Sequence, residues 1–134
     1  MNIVNYEGDA MSLVEVFKAL GDETRARMVN LLLMGELCVC EIEVILEITQ
    51  SNASRHLNKL KSVGIITYEK KAQWVYYKIQ ETFLHDHPLL CQFLQQALKE
   101  QYPEDLIRLS THKKAALSCE TLNRNKDEYL KRIT

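Results

Sequence analysis

Two cysteines one residue apart, Cys38 and Cys40, lie in the stretch ELCVCEIEVIL at residues 36 to 46. Thiolates are soft ligands, and a close pair of them selects thiophilic ions over hard, oxygen-loving cations. Side chains two residues apart point to nearly opposite sides of a helix. The pair can therefore converge on one ion only where the backbone is extended or unwound. The bland alternative is that both are small, half-buried hydrophobes. Of the other two cysteines, Cys91 lies amid leucines and reads as core. Cys119, in a polar stretch, is the candidate third ligand. Cys91, a small cellular thiol or no third ligand at all are the alternatives.

A second group of residues suits a different chemistry. Residues 50 to 78 carry Arg55, Lys59, Lys61, Lys70, Lys71 and Lys78 against the single acid Glu69, a local charge of +5 in a chain whose formal net charge is −1. Confined to one face, that charge is the electrostatic footprint of a nucleic-acid binder; a solvated basic helix is the competing reading. Within QSNASRHLNKLKSV the outward positions are small, polar or basic, and Gln50, Ser51, Asn52, Ser54 and Arg55 are short or forked enough to reach base edges. Arg55 can match guanine O6 and N7 together. Lys59, Lys70 and Lys71 suit phosphates, which give affinity without sequence information, and Gln73 joins this DNA-facing set. His56 reads as a packed core histidine, and Trp74, Tyr76 and Tyr77 as packing for a hairpin.

Both groups need a scaffold, and periodicity supplies one. Leu13, Val16, Phe17 and Leu20 recur at helical spacing, so residues 11 to 20 read as a first helix closed by Gly21. Asp22 caps a second, ETRARMVNLLLM, which stops at Gly35. A third short helix runs from about Cys40 to Leu46. Thr49 caps a fourth, with Ala53, Leu57 and Leu60 inward and Gly64 just past its end. The pattern then alternates: IITYEK and QWVYYKI read as two strands joined by KKAQ. A fifth helix starts near Pro88, and its stripe of Leu89, Leu90, Phe93, Leu94, Ala97 and Leu98 is too wide for one small core, so with the first helix it is expected to form a homodimer interface. This order predicts a mainly α chain with a small β-hairpin, a homodimeric winged helix-turn-helix.

At 134 residues, the chain is expected to hold residues 1–102 as the winged helix-turn-helix DNA-binding and dimerisation domain. Residues 103–134 are expected to be a C-terminal tail, partly helical or flexible. No leader segment is evident in MNIVNYEGDA, and the longest apolar run, LLLM, is far too short for a membrane span. A cytoplasmic protein with reduced cysteines and no disulfide is expected. No Cys–His, Ser–His or paired-carboxylate arrangement suggests an enzyme.

GDETRARMVNLL, ELCVC, TQSNASRHLNKLKSVGII and WVYYKI together resemble the ArsR/SmtB family of metal-responsive bacterial repressors over roughly residues 10 to 100, closest to its arsenite-responsive branch. The resemblance implies a homodimer that holds double-stranded operator DNA and dissociates when arsenite or antimonite binds Cys38 and Cys40, with Cys119 as the third ligand to be tested. A cadmium-, lead- or zinc-responsive repressor and a thiol redox switch are the alternatives. The arsenite branch often has a third cysteine three residues after the second, where this chain has Glu43. The cadmium branch draws cysteines from an N-terminal arm, and here none precedes Cys38. The zinc site of the family's fifth helix is only half present, as His85, Asp86 and His87, so Asp86 or His87 is expected to cap that helix instead.

Overall fold

The computed structural model describes residues 12–115. Seven helices and three strands follow in the order α1 (Leu13–Leu20), α2 (Glu23–Leu32), β1 (Leu37–Cys38), α3 (Val39–Leu46), α4 (Gln50–Ser62), β2 (Ile66–Lys71), β3 (Trp74–Ile79), α5 (Glu81–Asp86), α6 (Pro88–Gln101) and α7 (Pro103–Ala115). The expected caps form: Asp22 accepts from the Arg25 N–H and Thr49 from the Asn52 N–H, each satisfying a donor that the first helical turn leaves unpaired. At the end of α4, Gly64 takes φ +86°, and the Ile65 N–H reaches back to the Leu60 carbonyl at 3.1 Å. That left-handed step suits glycine and turns the chain into the hairpin. A three-residue connection, Glu47 to Thr49, separates α3 from α4, with Glu47 at φ +58°.

The core lies where α2, α3 and α4 meet the base of the sheet. Met28, Leu31, Ile42, Ile45, Leu57, Leu60, Ile65 and Ile66 are all fully buried there, and Phe83 closes it from α5. Ala53, Leu57 and Leu60 face inward from α4 as their spacing requires, and Cys91 is core.

Three features lie outside the sequence expectations. The hairpin is two-thirds of a three-stranded antiparallel sheet of order β1-β3-β2, because Leu37 pairs with Tyr77 and Cys38 with Tyr76. A two-residue strand carries no periodicity to detect. A short helix, α5, precedes Pro88. His87, one of the two expected candidates, is the N-cap residue of the helix that follows, but it makes no side-chain bond there, and Asp86 pairs with His85.

The helical part of the segment after residue 102 packs on the rest of the chain. Helix α7 buries Leu109, Asp105 and His112, and Arg27 of α2 holds the Asp105 carboxylate through two hydrogen bonds of 2.7 and 2.9 Å. Its weak apolar stripe hid it; buried polar groups, which pattern reading assigns to the surface, do much of its docking. Meanwhile Leu13, Val14 and Phe17 on α1 and Leu89 and Phe93 on α6 remain exposed. No helix among the described residues is long and apolar enough to cross a membrane.

Candidate thiol site and nucleic-acid interface

Cys38 ends β1 and caps α3, with φ −83° and ψ 165°. That extended step cancels the divergence a helix would impose on a C-x-C pair, and the two Sγ atoms lie 3.0 Å apart. Both residues are buried, Cys38 at 1% and Cys40 at 7% exposure. Burial first, and then the carboxylates of Glu41 and Glu43, push the Cys40 thiol up to about 12. Contrary to the expectation of reduced cysteines, Cys38 is disulfide-bonded, while Cys40 and Cys91 are free thiols. Cys119 lies outside the described residues. Among the described residues no group of three or more His, Cys, Asp or Glu side chains could hold a metal ion, so within them the site is a pair.

The pair is covered from two directions. Cys38, Cys40 and Val44 form a small cluster of their own, against which Trp74 and Tyr76 of β3 and Ala115 of α7 pack. The hairpin aromatics thus pack partly on the thiol pair. Because β1 is also hydrogen-bonded to β3, the thiols are joined to the hairpin through both backbone and side chains.

The polar face of α4 stands where its spacing placed it. Gln50, Ser51, Asn52, Arg55 and Lys59 are exposed and Ser54 is half-buried. Arg55 Nη2 donates to Asn52 Oδ1 at 3.0 Å, which holds the guanidinium along the helix surface. At the hairpin, Lys70, Lys71 and Gln73 are exposed. Two of the lysines are engaged: Lys59 lies 3.9 Å from Glu15 of α1, and Lys71 bonds to Glu36 and lies over the Tyr76 ring at 5.3 Å. His56 is buried, bonded to Arg25, and its pKa is lowered mainly by desolvation, as a core histidine's should be.

Several residues near these sites escaped the sequence reading. Lys61, counted in the basic stretch but left out of the DNA-facing set, lies over the Tyr68 ring at 4.6 Å and extends the basic face. Glu41 accepts the Cys38 N–H at 2.9 Å and meets His112 of α7. Glu41 had a signal, since C-x-x-E has the spacing of a capping box with cysteine in place of serine. His112 had none, being 71 residues from its partner.

A family model described as bacterial regulatory protein, arsR family, matches residues 22–68. The arsenic resistance transcriptional regulator ArsR1 of Pseudomonas putida is 46% identical over 85 residues, covering 63% of this chain and 61% of that protein. The CadC homolog of Staphylococcus aureus, a cadmium resistance regulatory protein, is 44% identical over 72 residues, covering 53% and 60%. The putative arsenical resistance operon repressor ArsR2 of Halobacterium salinarum is 32% identical over 81 residues, covering 58% and 68%. The chain thus spans about three fifths of the length of the first two relatives. Among solved structures, the homodimeric winged helix-turn-helix domain of a possible ArsR-family regulator from Mycobacterium bovis superposes with a TM-score of 0.54 at 27% identity, covering 66% of this chain and 82% of that one.

The raised thiol has a signed consequence for stability. Between the ordinary thiol range and about 12, the unfolded chain has released the Cys40 proton and the folded protein still holds it. Its contribution is therefore fully present below about pH 8.5 and lost as pH rises toward the folded value. Urea unfolding of reduced protein between pH 8 and 10 should show wild type losing stability faster than Cys40→Ala, by up to about 1.4 kcal/mol per pH unit. Parallel curves would mean that Cys40 titrates as an exposed thiol does.

Proposed function

The chain belongs to the arsR family of bacterial regulatory proteins, and from that premise we propose that it is a metalloid-responsive transcriptional repressor. In this reading a homodimer holds double-stranded operator DNA and releases it when arsenite or antimonite joins Cys38 and Cys40. The observation that carries the proposal is the 3.0 Å approach of two buried sulfur atoms at the base of the hairpin.

The chemistry of the pair favours a metalloid over a divalent cation. Arsenous acid is neutral and condenses with thiols: each As–S bond that forms replaces an As–OH bond, and the thiol proton leaves in a molecule of water. Two thiols release two waters, and a third would release one more. A cadmium or zinc ion must instead expel free protons from its thiols, and the Cys40 proton is held up to about 12. Cys119 is the proposed third ligand. Ala115, only four residues earlier in the chain, packs on the thiol cluster, and four residues span at most about 14 Å.

Release follows from crowding. An atom seated between two sulfurs 3.0 Å apart must spread them, which pushes β1 against β3 on one side and α3 against α4 on the other. In the proposal, α4 lies in the major groove with Arg55 on a guanine and Gln50, Ser51, Asn52 and Ser54 along the base edges. Lys59, Lys70, Lys71 and Gln73 contact the backbone. Both supports of this surface move together. The exposed apolar residues of α1 and α6 form the homodimer contact, a reading supported by the homodimeric Mycobacterium bovis domain.

The disulfide at Cys38 favours a second reading, a redox switch in which oxidation of Cys38 rather than ligation is the signal. Thiol counting separates the two, because a metalloid consumes two or three thiols per ion without forming a disulfide.

Three outcomes are expected. Reduced protein should sediment as a dimer at micromolar concentration; a monomer would remove the two-fold operator model. Arg55→Ala should weaken operator binding by about 1–3 kcal/mol and relax specificity at one base position, whereas Lys71→Ala should weaken all sequences alike and flatten the salt dependence; unchanged operator affinity in Arg55→Ala would displace α4 from the groove. Cys38→Ser and Cys40→Ser should each keep apo operator affinity and lose release by arsenite. Near-complete release demands about 5.5 kcal/mol of differential affinity, beyond what one sulfur bond with no partner can direct at the backbone. A double variant that still released DNA at the wild-type arsenite concentration would refute the thiol sensor.

A further inference from the structure

Helix α7 grips α3 at both ends. At the C-terminal end, Arg108 Nε donates to the Ile45 carbonyl at 2.8 Å and its Nη2 to the Val44 carbonyl at 3.1 Å, with Glu47 2.9 Å from the same nitrogen. A cation on the last-turn carbonyls satisfies acceptors that a helix end leaves unpaired. At the other end, His112 Nε2 donates to Glu41 Oε2 at 2.5 Å, and Glu41 Oε1 accepts the Cys38 N–H at 2.9 Å. His112 is 2% exposed and the Glu41 side chain 14%. Asp105, one face further back on α7, is held by Arg27, so the helix is anchored to α2 as well.

The Glu41 carboxylate is the hinge of this arrangement. It has one oxygen on each partner, so rotating it away breaks a hydrogen bond in a site with little access to water. The Cys38 N–H it holds belongs to the residue whose extended backbone brings the two sulfurs together. Ala115, three residues beyond His112, packs against the cluster of Cys38, Cys40 and Val44, so the same helix end both braces and covers this cluster.

We propose that Glu41 and His112 are positioning residues for the Cys38–Cys40 pair: α7, through His112 and Glu41, holds Cys38 in the extended backbone conformation in which the two sulfurs converge. Neither residue is a ligand. The consequence for metalloid binding rests on the function proposed above; the bracing itself does not. Groups that orient ligands from behind typically contribute 10–100-fold to the affinity of a site, and these two are placed to do so here.

The experiment uses the reduced full-length chain with Glu41→Ala, Glu41→Gln, His112→Ala, His112→Gln and Arg108→Ala. Cys40 alkylation by iodoacetamide, read by mass spectrometry, reports on the pair without any metalloid; arsenite titration by thiol counting reports on ligation; a melting curve confirms that each variant is folded. Glu41→Ala and His112→Ala are expected to speed Cys40 alkylation about tenfold or more and to weaken arsenite binding by about 10–100-fold. Glu41→Gln, whose amide still has one acceptor and one donating group, should recover most of both, and His112→Gln should do the same if His112→Ala does not fold. Arg108→Ala should leave Cys40 protected. Unchanged alkylation in folded Glu41→Ala and His112→Ala overturns the proposal, as does an equal rise in Arg108→Ala, which would trace protection to α7 docking as a whole. Faster alkylation in a protein whose wild type binds no arsenite would leave the bracing standing and remove the metalloid reading.

Discussion

The backbone at Cys38 turns from strand to helix in a single residue, and most of what positions the two candidate surfaces depends on that turn. The extended conformation of Cys38 allows Leu37 and Cys38 to pair with β3, which places a third strand on the hairpin. It also lets the Cys38 N–H meet Glu41, so α3 begins with one of its free donors satisfied. The same conformation aims Sγ toward Cys40 rather than away from it. In a helix begun one turn earlier, β3 would have an open edge, and the thiols would face opposite sides.

Burial then sets what this junction can do. Trp74 and Tyr76 cover it from the hairpin and Ala115 from α7, and a close-packed interior answers added volume by shifting whole elements. The sheet and α3 share the cost of any expansion there, and both abut the polar face of α4 or its flanking hairpin. The same exclusion of water holds the Cys40 proton in place, and on this the proposed preference for a ligand that takes the proton away as water rests.

The basic face is held loosely by comparison. Lys59 and Lys71 have acidic partners, Glu15 and Glu36, but these side chains are substantially exposed, and exposed pairs contribute little. A phosphate can exchange with such a carboxylate at little cost, while the pairing keeps the lysines ordered in its absence. This accommodates a local charge of +5 within a chain of net charge −1. The acids adjacent to α4 and the hairpin keep that charge from repelling itself.

Local chemistry determined much of the molecule. Helices α1 to α4 and α6 follow from apolar spacing closed by Asp22, Thr49 and Gly64, and the hairpin from alternating β-branched and aromatic residues; these signals act within a few residues, so one sequence carries them. The polar and basic faces were legible for the same reason, as was the oddity of C-x-C. Tertiary structure alone decided the rest. Strand β1 exists only because β3 lies beside it, since two residues cannot stabilise a strand by themselves. Helix α7 docks through Arg27–Asp105, Arg108 and His112–Glu41, buried polar contacts whose partners are 63 to 78 residues apart. A sequence read locally assigns such residues to the surface, because burying a charge is unfavourable until its partner is present, and only the folded chain brings the partner there.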